Sequence, residues 1–362
     1  MAEAPKPPAL DSGRPLKRRP VFLVVALLVL LGLTVWRLWF APVPPRAVVI
    51  RGEIMGTTYT VKVVTDTRQE QSAENQANLE TLVHDALSAV DQAMSTYKPD
   101  SELSRFNDGP GDTDVPLSPA LAEVMALAFD VNARSEGAFD VTVGPLVDRW
   151  GFGTAGALRD LPDAGEIETL KARLGHTHLR FDGTTLRKDA DALRVDLSAI
   201  AKGYGVDQAA LALRAAGYED FMVEVGGEIR VSGQTEAGRP WRLAVEKPSP
   251  TERAIYEVVE LRDQALATSG DYRNFTVVDG TRYSHTLDPT TGHPVTHRLA
   301  SVSVVAPTCA EADALATALN VLGPQRGLAL AEKEGLPALF LVGDPDDLQA
   351  HATDAWVELP VQ

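Results

Sequence analysis

From Phe221 to Ala306 the chain reads as one short strand after another, at 221–225, 228–232, 241–245, 256–260, 275–286 and 301–306. Strands that follow each other without a helix between them pair as antiparallel hairpins, whereas parallel strands need a crossover. The run argues against a doubly wound sheet and predicts an α+β fold with mixed sheets and flanking helices. Alternation predicts a further strand over Thr57–Thr65. Leu179–Phe181 and Thr185–Lys188 flank Asp182-Gly183, a hairpin signal. Leu79, Leu82, Val83, Ala86, Leu87, Val90 and Met94 recur at three and four, so 72–95 is expected to be an amphipathic helix. Ser118–Ser135, Ala164–Leu174, Ala199–Ala216 (stopped by Gly217) and Cys309–Leu322 are expected helices too. No linker rich in Pro, Gly or Ser interrupts the sequence beyond residue 50, so 51–362 is read as one domain.

The first forty-five residues stand apart. Residues 1–20 carry five basic side chains (Lys6, Arg14, Lys17, Arg18, Arg19) against Glu3 and Asp11, and Val21–Trp36 carries no charge. Twenty helical residues rise about 30 Å, the thickness of the hydrocarbon core. Trp36, Trp39 and Phe40 suit an interfacial belt, and Arg37 can snorkel. The expectation is a cytoplasmic tail over 1–20, a transmembrane signal anchor over 21–40, and a Pro-rich spacer over 41–50. The positive-inside rule then puts the remainder on the extracytoplasmic side. A cleaved signal peptide is the alternative, with a poor cleavage site in Ala41-Pro-Val-Pro-Pro-Arg46. The net charge of −16 argues against nucleic acid as a partner. The single cysteine, Cys309, excludes an intramolecular disulfide and zinc sites built on several thiolates.

Walker A, G-x-G-x-x-G, H-E-x-x-H and G-x-S-x-G motifs are all absent. Polar clusters at the ends of elements remain. In Val195-Asp-Leu-Ser-Ala-Ile-Ala-Lys-Gly-Tyr-Gly205 a carboxylate ends a strand and a helix begins, where free N–H groups and Lys202 suit a phosphate; Asp196 or Ser198 acting as a simple cap is the alternative. Val225-Gly-Gly-Glu-Ile229 is either a place of close ligand approach or a tight turn. Tyr283-Ser-His-Thr-Leu-Asp-Pro-Thr-Thr-Gly292 offers His285 as a general base; a metal triad of His285, His293 and His297 is disfavoured by Pro294. Asp313 and Thr317, four apart on one helix face, suit a hard cation such as Mg²⁺, or else form a solvated face. The loops Ser95–Asn107 and Gly137–Pro145 carry aromatics that stack on a flat heterocycle or plug the core.

In this order the segments resemble the FAD:protein FMN transferases, the ApbE family. The motifs are Met55-Gly-Thr, S-T-Y-x-x-x-S-x-L-S-R-F-N, G-A-F-D-x-T-V-G-P, D-L-S-x-I-A-K-G-Y, V-G-G-E, S-G-D-Y-R-N-F, H-x-L-D-P-x-T-G and E-A-D-A-L-A-T, ending at Thr317. The resemblance implies that 51–362 is a flavin transferase domain. It would bind FAD as substrate with Mg²⁺ and transfer FMN to a Thr or Ser hydroxyl of an acceptor flavoprotein subunit of a membrane redox complex, releasing AMP. It further implies that Met55, Tyr97, Ala138, Phe139, Asp140, Asp196, Lys202 and Leu287 contact FAD. The Ala199 carbonyl and the side chains of Asp313 and Thr317 would hold the metal, and His285 is the candidate for catalysis. Some members carry Asp where this chain has Ala316, and an acidic residue where it has Lys202. The N-terminal lipidated Cys of many relatives is replaced here by the apolar run. A pyrophosphatase giving FMN and AMP, and a membrane-anchored flavin-binding protein without turnover, are the competing readings.

Overall fold

The computed structural model describes residues 19–39, 43–154, 156, 158, 160–249, 252–270, 275–278 and 280–360. The chain divides into two units, residues 1–44 and 45–362.

In the first unit, helix α1 spans Arg19–Trp39, and its apolar side chains from Val21 to Trp36 are almost all exposed. The transmembrane helix expected over 21–40 is nevertheless not supported. Among the described residues no helix is long and apolar enough to cross a membrane. Phe40 and the basic tail to residue 18 lie outside the described residues.

The second unit is built on an eight-stranded sheet. Its order is Arg46–Ile54, Thr57–Thr65, Phe221–Val225, Glu228–Ser232, Ala265–Gly270, Leu299–Ala306, Ala338–Asp344 and Asp347–Ala352, antiparallel throughout. The spacer expected over 41–50 is therefore too long. Arg46 already pairs with Thr65 and Ile50 with Val61, because Ile50 is buried against Val61, Val63 and Leu79. The folded unit begins before residue 51.

Helices α2 (Ala73–Met94), α3 (Glu102–Asp108), α4 (Pro119–Arg134), α5 (Gly144–Arg149), α6 (Ala164–Lys171) and α7 (Ala201–Ala215) are inserted between the second and third strands of the sheet. α8 (Cys309–Glu334) follows Leu299–Ala306. One face of the sheet packs Val302, Val304 and Phe340 against α4 and the alanines of α8. The other face packs Val231, Leu266, Val305 and Leu341 against Trp241, Leu243 and Val259 of a separate hairpin, Trp241–Glu246 with Ile255–Leu261. Central strands covered on both faces lose the polar alternation of a half-exposed strand.

α8 is two helices in series. Gly323 breaks the helical conformation with φ 75° and ψ −179°, and Pro324 then occupies the start of the second segment. The expected end at Leu322 matches the break, but the chain resumes as helix to Glu334 instead of leaving as a loop. Pro fits the first turn of a helix, where its missing N–H has no partner to lose.

The start of α8 is set by α7. A Cβ on Gly203 would collide with the Cys309 carbonyl and lie 2.8 Å from the Asp313 Cβ, so glycine permits the crossing. Four residues on, buried Asp207 accepts the backbone N–H groups of Cys309 and Ala310, each at 2.9 Å, and pairs with Arg230. Burial pushes the Asp207 carboxyl up, opposed by Arg230 and the two amides. Asp207→Ala leaves a charge and two amides without partners and is expected to cost about 3–5 kcal/mol. Chemical unfolding measures this; a loss below about 1 kcal/mol would refute the role.

Candidate active site

The second unit carries two neighbouring cavities of about 440 and about 500 Å³ whose linings share Ser198 and Lys202. Every site residue named from the sequence lines one or both. Ala138, Phe139, Asp140, Asp196, Ala199, Lys202, His285, Leu287, Asp313 and Thr317 line the first. Met55, Tyr97 and Lys202 line the second.

Each side chain is placed by its local structure. Phe139 is buried, and its carbonyl accepts from Asn132 Nδ2 at 2.7 Å. Asp140 Oδ1 closes a turn on the Thr142 amide and hydroxyl, at 2.8 and 2.7 Å. The Asp196 amide donates to the Val141 carbonyl at 2.7 Å, and its Oδ1 accepts from the Ser198 amide at 2.8 Å. Asp196 is thus no cap of α7, whose N-cap position, Ile200, has no side-chain cap bond. Met55 occupies the hairpin turn between the first two strands at φ 51°, an unusual conformation for a bulky residue. Tyr97 is 71% exposed at the rim, on a turn whose Ser95 carbonyl accepts both Ser101 Oγ and Ser104 Oγ.

The electrostatic centre is Lys202, in the first turn of α7. Its Nζ lies 2.8 Å from Glu228 Oε1 and 3.7 Å from Asp313 Oδ2. Burial works against the charge on Lys202, but Asp313 and Glu228 outweigh it and hold the ammonium above its usual range. Burial pushes the Glu228 carboxyl up to about 7, against the pull of Lys202. Glu228 follows Gly226 and Gly227, at φ 62° and 106°, which form the turn that delivers it. Its Oε2 is buried and has no hydrogen-bond partner. Asp313 Oδ2 also accepts the Gly203 amide at 3.0 Å, and the Thr317 hydroxyl meets Ser269 Oγ at 3.2 Å.

The His285 ring meets Phe152 edge-on, 6.2 Å between centroids. The alternative histidine triad does not form: His293 and His297 line a different cavity. Among the described residues no group of three or more His, Cys, Asp or Glu side chains is arranged to hold a metal. A magnesium ion does not require one. The Asp313 carboxylate, the Thr317 hydroxyl and the Ala199 carbonyl are hard oxygen donors in one cavity, and the partnerless Glu228 oxygen leaves that cavity short of positive charge.

Sequence reasoning assigned no role to Glu228, Thr268, Ser269 or Asn320, and to Ser198 only that of a cap; all line the first cavity. The paired glycines of V-G-G-E were the available signal for Glu228. Residues 271–274, within S-G-D-Y-R-N-F, lie outside the described residues.

The ApbE family model matches residues 55–340. A Vibrio cholerae protein named FAD:protein FMN transferase is 44% identical over 313 residues, covering 86% of this chain and 92% of its own. An Escherichia coli K12 protein of the same name is 38% identical, over 83% of this chain and 86% of its own. The solved structure of the flavin transferase ApbE from Vibrio cholerae superposes with a TM-score of 0.80 at 42% identity, covering 88% of this chain and all of that one. With the fold, the site geometry and these similarities in agreement, the chain belongs to the ApbE family.

Proposed function

We propose that the chain uses Mg²⁺ and FAD to place FMN on a Thr or Ser hydroxyl of an acceptor flavoprotein, releasing AMP. The observation that carries this reading is the pair of neighbouring cavities that both have Ser198 and Lys202 in their linings. A dinucleotide has two ring systems joined by a pyrophosphate, and Lys202 borders both cavities. The names of the relatives supply the transferred group and the protein acceptor.

Among the described residues the first cavity is lined by Asp140, Asp196, Glu228 and Asp313 against one lysine. A pyrophosphate with two negative charges enters such a site only with added cations. Asp313, Thr317 and the Ala199 carbonyl would hold Mg²⁺, which when bound supplies charge neutralisation and Lewis acidity at phosphorus. Lys202 stabilises charge on the same phosphates. In the transfer the acceptor oxygen bonds to the FMN phosphorus, the bond from that phosphorus to the AMP oxygen breaks, and the hydroxyl proton passes to His285. Water as acceptor gives the pyrophosphatase reading. The proposal extends to location: the exposed apolar side chains of α1 attach the chain to a membrane, with the transferase unit on the extracytoplasmic side beside a redox-complex acceptor.

The test is AMP release by the full chain from FAD, with acceptor present. Chelator is expected to abolish release and MgCl₂ to restore it. Undiminished release in chelator would remove the metal from the proposal.

A further inference from the structure

The helix that carries Asp313 and Thr317 and the loop that carries His285 are tied together at one residue. Asn320 lies one turn beyond Thr317, is 1% exposed, and lines the first cavity. Its side-chain Nδ2 donates to Thr286 Oγ1 at 3.0 Å, next to His285. Its main-chain carbonyl stands just before the break at Gly323, where helical carbonyls lose their intrahelical partners. His297 Nε2 donates to that carbonyl at 2.8 Å, while its Nδ1 accepts from the Leu299 amide at 3.3 Å, which fixes the tautomer. A Cβ on Gly323 would lie 2.6 Å from the His297 ring, so the glycine at the break admits the imidazole. Thr286 is itself anchored, its amide donating to Ser284 Oγ and its carbonyl accepting from Val295, each at 3.0 Å. Both ends of the excursion from 286 to 297 therefore meet Asn320.

One atom is left over. Asn320 Oδ1 is buried without a partner. Leaving a buried acceptor unmatched costs about 1–3 kcal/mol.

Resting on the function proposed above, we infer that Asn320 is a positioning residue: it holds the His285 loop in register with the Asp313–Thr317 face of α8, at the cost of the unmatched Oδ1. A loop held through one hydroxyl and one carbonyl can shift by an ångström when either bond goes, and displacement on that scale costs about a hundredfold in rate.

The experiment uses Asn320→Ala, Thr286→Val, Thr286→Ser and the double variant N320A/T286V in the full chain. N320A and T286V are each expected to lower kcat about tenfold to a hundredfold with the FAD KM within about threefold, while T286S, which keeps the hydroxyl, stays near wild type. The double variant is expected to be no slower than the slower single, since both cut the same tie. A kcat unchanged in T286V, or losses that multiply in the double variant, would overturn the inference. Hydrogen exchange without substrate reads the tie independently of activity. N320A is expected to speed exchange across 284–296 and leave 309–318 protected; equal exchange in wild type and variant refutes the tie. A wild-type chain with a protected loop but no FMN transfer would defeat the functional reading alone.

Discussion

Asp313→Ala is expected to lower FMN transfer about a thousandfold, in line with the loss of a preorganised charge-stabilising group. Three consequences converge on that residue. The cavity loses the only side-chain carboxylate among its proposed metal donors. Lys202 loses one of the two carboxylates that hold its ammonium above the usual range. The buried Gly203 amide loses its acceptor at 3.0 Å, which costs about 1–3 kcal/mol of stability. Asp313→Asn separates these effects, because the amide oxygen still accepts from Gly203. D313N is therefore expected to melt closer to wild type than D313A does and to lose activity almost as fully. Steady-state AMP formation beside a melting curve makes the check. An active D313N would take the metal away from this helix face.

His285→Ala is the second large effect, an expected loss of about 10²–10⁴ in kcat, the usual worth of a positioned proton acceptor. FAD affinity should change little, because Thr286 and Leu287 line the same cavity beside it. Transfer in H285A within about threefold of wild type would move the proton to another group.

The antiparallel character of the fold was legible because the strands from 221 to 261 carry β-branched alternation and recognisable turns. Ala265–Gly270 was not: Ala-Leu-Ala-Thr-Ser-Gly has no strand signature of its own and is a strand because neighbours on both sides complete its ladder. Ala338–Asp344 begins as a continuous apolar run, whose period does not separate a buried strand from a helix. α3 is too short to announce itself by periodicity and is nucleated by Ser101, which accepts the Ser104 amide at 2.9 Å. The start of the folded unit at Arg46 was hidden by the prolines just before it.

The candidate site was legible as separate motifs, and the structure gathers them around two cavities. Contacts between motifs were beyond sequence reasoning. Lys202 and Glu228 are 26 positions apart, and the turn that brings the carboxylate back depends on sheet pairing. Asn320 looked like one more residue of a helix, because nothing in its neighbourhood announces the loop that returns to it.

The most direct test of the account is the intact mass of an acceptor domain incubated with the full chain, FAD and MgCl₂, with AMP measured in the same sample. The account predicts that the target Thr or Ser gains one FMN for each AMP released, and that chelator stops both together. AMP without any mass gain on a competent acceptor would contradict transfer and leave hydrolysis as the activity.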